Sequence, residues 1–321
     1  MAVVPAGGTT AFLCVDVAAL RLRREARSRW VICQRADGGS AVKEQTRVVV
    51  TPDGRRLGVC VWGDPDGAPM FWLHGTPGSR FLREPGDAYA QNHLRVFTYD
   101  RPGYGVSTRV PGRRGADAAD DVRAIADAFG LEHFGVAGVS GGSSPALAAA
   151  ALLPDRVSRC ATVVGSAPFT AEGLDFYDGM DDYARHGWQH ALQGNAALEA
   201  DWREMMDWVK AGMPELEVPK DDWTMLMEAF DESSRQGSAG YVDDCLSDAR
   251  DWGLSVEDVQ APTRIMLARD DTSVPAAHGE WLVRHIPNAE LLWVDGGHFG
   301  PRREPEMQLM AWVGHGTSPT N

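Results

Sequence analysis

Short apolar runs alternating with segments of helical period dominate the chain from residue 45 onward. Residues 45–50 and 56–62 are β-rich and flank Thr51-Pro52-Asp53-Gly54, a turn signal, so they predict a hairpin. The runs at 70–73 and 95–99 are brief and apolar, the pattern of strands buried on both faces of a parallel sheet. Over 116–129, Val122, Ile125, Ala126 and Phe129 fall on one face at helical spacing. An apolar run at 134–139 leads into a glycine-rich turn and an alanine-rich helix over 145–153, and a further strand is predicted at 160–164.

Beyond Pro168 the strand pattern stops. Trp202, Met205, Met206 and Val209 fall at i, i+3, i+4 and i+7, and Trp223, Leu226, Met227 and Phe230 repeat that spacing, so both stretches predict amphipathic helices. Strand patterns return at 263–267 and 290–294, with a helix over 276–285 between them. The fold class is therefore α/β, in two segments, 43–168 and 259–316, separated by a helical insertion over 169–258.

Composition and charge narrow the setting. With 321 residues and 44% hydrophobic content the chain can bury a large core, as one large α/β domain or two small ones. A net charge of −14 argues against nucleic acid or an anionic membrane as the main partner, and no run approaches the length of a transmembrane helix. The five cysteines (14, 33, 60, 160, 245) are scattered, without Cys-x-x-Cys or Cys/His ligand spacing. That pattern predicts free thiols in a reducing cytoplasm, with Cys60 and Cys160 as core fillers, and gives no support for a metal. Residues 1–42 stand apart: an apolar stretch at 11–20 precedes Arg21, Arg23, Arg24, Arg27 and Arg29, the reverse of a secretory signal. A targeting segment is one reading, and a floppy or non-native extension is the favoured one.

Candidate chemistry starts at Gly138-Val139-Ser140-Gly141-Gly142, which joins a strand to a helix. A sharp turn there exposes the serine oxygen at a helix N-terminus, where backbone N–H groups favour a negative oxygen. A serine hydroxyl attacks only when a base takes its proton, an acid orients the base, and N–H donors meet the oxyanion. The loop after the 263–267 strand offers two competing acids, Asp270 and Asp271, the latter four residues before Pro275. His298, on a Gly-Gly loop after the last strand, is the expected base among nine histidines. Gly141 supplies one expected oxyanion donor, and Thr76, in His74-Gly75-Thr76-Pro77-Gly78, the other. His74 is expected to make structural hydrogen bonds, and the Asp100–Ser107 turn to shape the loop over the site.

These motifs together resemble the α/β-hydrolase superfamily over about residues 45–314. The resemblance implies a mostly parallel eight-stranded sheet with helices on both faces, capped by the 169–258 insertion. It also implies a Ser140–His298–Asp271 triad acting without a cofactor on a carboxylic ester, thioester or lactone of a small apolar substrate. Ser140 sets the chain apart from related epoxide hydrolases and haloalkane dehalogenases, which use aspartate at the elbow. Trp188, Trp202, Met205, Met206, Trp223 and Met227 are expected to shape the pocket, together with Trp208 and Met225. Proline iminopeptidases share a similar loop but usually carry glycine at the position of Thr76 and need cap acids, for which Glu199, Glu204, Glu215, Glu217 and Glu228 are available. Carbon–carbon bond hydrolysis and ligand sensing on the same scaffold are the other readings.

Overall fold

The computed structural model describes residues 46–212, 220–300 and 302–317, and the 1–42 extension, Cys14, Cys33, Glu215 and Glu217 lie outside them. Strands β1 (Arg47–Val50) and β2 (Arg56–Gly63) form the expected hairpin, with Val50 opposite Arg56. Strands β3 (Ala68–Leu73), β4 (Leu94–Tyr99), β5 (Phe134–Val139), β6 (Val157–Val163), β7 (Thr263–Ala268) and β8 (Ala289–Val294) follow. All belong to one eight-stranded sheet in the order β1-β2-β4-β3-β5-β6-β7-β8. The β1–β2 and β2–β4 pairs are antiparallel, and the other pairs are parallel.

Alternation along each strand builds two cores. Phe71, Leu73, Phe97 and Tyr99 face one side of the sheet, and Met70, Trp72, Leu94 and Val96 face the other. Helices α1 (Ala88–Gln91) and α9 (Arg303–Gly314) supply Tyr89, Met307, Met310 and Val313 to the second core. The first is covered by α2 (Ala118–Phe129), α3 (Ser143–Leu152) and α8 (Ala276–His285). Helix α3 is buried from Ser143 to Ala151, and its run of alanines lets it lie close against the sheet. Cys60 and Cys160 are buried in β2 and β6.

Helix α3 and strand β6 both begin earlier than the sequence pattern places them. Helix α3 starts at Ser143, ahead of Pro145, because a proline in the first turn has no N–H to satisfy. Strand β6 starts at Val157, where half-buried Ser158 and Arg159 interrupt the apolar run and the register with β5 shifts.

Between β6 and β7 the described chain forms α4 (Asp182–Gln193), α5 (Asn195–Lys210), α6 (Lys220–Ser233) and α7 (Ala239–Asp248). Ala191, Leu198, Trp202, Tyr241 and Val242 give three of these helices, α4, α5 and α7, a small core of their own. Asp181 caps α4, accepting from Ala184 N at 2.8 Å, and its other oxygen accepts from Thr272 Oγ1 at 2.8 Å. After α7 ends at Asp248, Trp252, Val256 and Val259 pack into the main core. Among the described residues no helix is long and apolar enough to cross a membrane.

Asp121 on α2 pairs with Arg55 of the β1–β2 hairpin at 2.6 Å and is 2% exposed. Burial outweighs the adjacent guanidinium and pushes its carboxyl up to about 6. A carboxyl raised in the folded state contributes stability below its unfolded value near 3.8, and loses it as pH rises toward 6. Asp121→Asn is therefore expected to gain stability relative to the wild type between pH 4 and 7, by roughly 1–3 kcal/mol in urea titrations. A difference that stays flat or reverses with pH would show the Arg55 pairing to dominate.

Candidate active site

The strand order reverses at β3, which has β4 on one side and β5 on the other. Loops leaving the C-terminal ends of the two strands diverge at such a point and leave a crevice. Leu73 pairs with Gly138, which sets the 74–78 loop beside the turn that follows β5. The parallel strands β7 and β8 end on the same edge, with Ala268 opposite Val294.

Ser140 sits in that turn with φ 51°, a left-handed conformation that costs a non-glycine residue of order 1–3 kcal/mol. Its neighbours explain how the turn closes. A β-carbon on Gly138 would overlap the carbonyl of Gly142, and one on Gly142 would overlap the carbonyl of Leu73. Only glycine at both positions lets β5 fold back into a single 3-10 turn, Ser140–Gly142, and enter α3 at once.

Ser140 Oγ lies 3.0 Å from His298 Nε2, and His298 Nδ1 lies 2.9 Å from Asp271 Oδ2. A carboxylate only accepts, so Nδ1–H donates to Asp271 and Nε2 is left to accept the serine proton. Asp271 is 7% exposed, and its other oxygen accepts N–H bonds from Ser273 at 2.9 Å and Val274 at 2.8 Å. Asp270 is exposed, and its N–H donates to Gly296 O at 3.0 Å, tying the acid loop to the histidine loop. Arg302, which the sequence pattern did not single out, donates Nη1 to Gly297 O at 2.9 Å and anchors the backbone beside His298. Phe299 is 67% exposed, with its ring edge-on to His298 at 5.0 Å.

Thr76 and Gly141 are brought together. A β-carbon on Gly141 would sit 3.3 Å from Thr76 N and would collide with its hydroxyl. His74 is buried; Nδ1–H donates to Gly75 O at 2.7 Å and Nε2 accepts from Arg101 N at 3.4 Å. Burial and the Arg101 charge hold its pKa well below the ordinary imidazole range, so it is neutral.

The Asp100–Ser107 turn does far more than its sequence suggested. Arg101 is 1% exposed and reaches under the 74–76 loop, where Nη2 donates to Gly75 O at 3.1 Å and to Thr76 Oγ1 at 3.0 Å. Asp244 of α7 matches its charge, and Tyr104 Oη donates to that carboxylate at 2.8 Å. Arg80 similarly joins Asp100 to Glu232 of α6, the latter at 2.7 Å. The signal in the sequence is Arg101 itself, two residues past the end of a buried strand.

The expected pocket residues separate into two groups. Trp188, Trp202, Met205 and Met206 pack within the core of the helical layer, and Trp188 also stacks on Phe169 at 5.9 Å. Trp223 and Met227 lie half-buried on α6, as does Met225. A cavity of about 260 Å³ opens behind the turn, lined by residues including Tyr99, Arg113, Ser144 and Asp248 but not by Ser140 or His298.

Comparisons with known proteins agree with this architecture. Residues 68–301 match the family model described as alpha/beta hydrolase fold. A 2-hydroxy-6-oxononadienedioate/2-hydroxy-6-oxononatrienedioate hydrolase of Paraburkholderia phymatum is 25% identical over 236 residues, 69% of this chain and 77% of that protein. The 3-oxoadipate enol-lactonase 1 of Acinetobacter baylyi is 21% identical over 83% of this chain and 95% of its own length. Among solved structures, an esterase from Exiguobacterium antarcticum superposes with a TM-score of 0.65 at 20% identity, covering 83% of this chain and 98% of that one. With the model spanning most of the chain and the sheet order in agreement, the chain belongs to the α/β-hydrolase fold family.

Proposed function

We propose that this chain is a serine hydrolase that cleaves a carboxylic ester, thioester or lactone of a small, largely apolar substrate. The observation that carries the reading is the continuous Ser140–His298–Asp271 hydrogen-bonded chain, with links of 3.0 and 2.9 Å. His298 Nε2 takes the Ser140 proton as Oγ attacks the carbonyl, and Asp271 stabilises the imidazolium through Nδ1–H. The N–H groups of Gly141 and Thr76 hold the tetrahedral oxyanion. The imidazolium then protonates the leaving group, and water deprotonated by His298 releases the acid from the acyl-enzyme. No step calls for a metal or an organic cofactor.

Exposed Phe299 beside His298 favours an apolar substrate group, and the similarity to an enol-lactonase supports an ester-like bond. Carbon–carbon cleavage is the second reading, and it rests on the similarity to the Paraburkholderia oxononadienedioate hydrolase. An aminopeptidase would need unpaired cap acids at the site. Among the described residues, instead, the buried cap acids Glu232, Asp243 and Asp244 face core arginines, while Glu199 and Glu204 are exposed on α5. Glu228 lies 3.9 Å from Arg83. A sensor would not require the complete chain of three groups.

Turnover of short- and medium-chain p-nitrophenyl esters tests the reading. Ser140→Ala is expected to reduce hydrolysis to the uncatalysed background, and hydrolysis that persists in that variant would refute it. Asp271→Asn is expected to lower kcat by about 10³–10⁴-fold, since the amide stabilises the wrong tautomer. Asp270→Asn should stay within about threefold of wild type, as expected for surface substitutions. The opposite ranking of the two variants would transfer the acid role to Asp270.

A further inference from the structure

The last helix of the cap reaches directly into the loop beneath the oxyanion site. Asp244 is 3% exposed and accepts from Thr76 Oγ1 and Tyr104 Oη, each at 2.8 Å, and from the guanidinium groups of Arg101 and Arg113. The two arginines hold its carboxyl far below the usual range, so it is an anion that only accepts hydrogen bonds. Arg101 in turn donates to His74 O, Gly75 O and Thr76 Oγ1, so one guanidinium grips three successive loop residues. The Thr76 hydroxyl is committed twice, accepting from Arg101 and donating to Asp244. That double commitment fixes its side chain, and with it the backbone that lies against Gly141.

Asp243, the preceding residue, provides an internal comparison. It is 4% exposed and binds Arg109 through two hydrogen bonds of 2.8 and 2.9 Å, a cap-to-core ion pair that does not involve the 74–76 loop. Docking of the cap alone would make the two aspartates equivalent. Control of the loop would make Asp244 special.

We propose that Asp244 is a positioning residue: acting through Arg101 and the Thr76 hydroxyl, this cap carboxylate aims the Thr76 N–H at the oxyanion. The inference rests on the serine-hydrolase reading, in which that N–H contacts the reacting oxygen. It makes the oxyanion hole complete only when the cap is docked.

The test is the rate of labelling by a fluorophosphonate, whose phosphoryl oxygen occupies the oxyanion site during attack, alongside kcat and KM for a p-nitrophenyl ester. Asp244→Asn is expected to slow labelling and kcat by about tenfold or more, with KM changing less than about threefold, while Asp243→Asn stays within about twofold. Thr76→Val keeps the N–H and leaves no buried charge unmatched, so it serves if Asp244→Asn fails to fold. It should show the same loss in kcat with an unfolding midpoint within about 2 °C of wild type. Wild-type rates in Thr76→Val, or equal losses in the Asp243 and Asp244 variants, would overturn the proposal while leaving the hydrolase reading intact. Absence of labelling in the wild type, or labelling of Ser140→Ala, would overturn both.

Discussion

The left-handed backbone of Ser140 is the constraint on which the rest of the site depends. A residue with a β-carbon at φ 51° is unfavourable by itself, and surrounding contacts must hold it there. Strand β5 lies in the middle of the sheet between β3 and β6, and α3 is buried over nearly its whole length, so neither element can rotate to relax the turn. Gly138 and Gly142 admit the carbonyls that would otherwise clash. The strain is thus offset by two fully packed elements, and it leaves the hydroxyl 3.0 Å from His298.

The other groups of the candidate site reach that hydroxyl by a different principle. They stand on loops at the C-terminal ends of β3, β7 and β8, and loops need fixing by hydrogen bonds rather than by apolar packing. The acid loop is fixed by N–H bonds to Asp271 and by the Thr272–Asp181 contact with α4. The histidine loop is fixed by Arg302 and by the Asp270 N–H to Gly296 bond. The 74–76 loop is fixed by Arg101 and Asp244. Two of the three loops are held in part by the helical layer, through Asp181 and Asp244, so that layer helps to fix their geometry. Buried ion pairs are weak sources of net stability, but they define one arrangement sharply because leaving either partner unmatched is costly.

The features legible in the sequence were those with local causes. Strand and helix periodicity reflects which face of each element is buried, and it located every strand of the sheet to within a few residues. The glycines around Ser140 signalled the turn because steric demand there is local. That His298 and Asp271 stand next to Ser140 in a hydrogen-bonded chain was legible from chain order after β8 and β7. The Arg101–Asp244 and Arg80–Glu232 pairs were not legible, because each joins positions more than a hundred residues apart and charged residues usually read as surface. The aromatic and methionine stripe was visible, but periodicity does not distinguish side chains that pack a helical layer from those that face a substrate. Trp202 illustrates the limit, being 8% exposed inside the layer's own core.

The most direct measurement of the central claim is intact-protein mass spectrometry after incubation with a fluorophosphonate, followed by peptide mapping. A single phosphonyl adduct on Ser140, formed at neutral pH and absent after prior heat denaturation, is the predicted result. An adduct on another residue, or an equal yield in the denatured chain, would contradict the account, since activation would then not arise from the folded Ser140–His298–Asp271 arrangement.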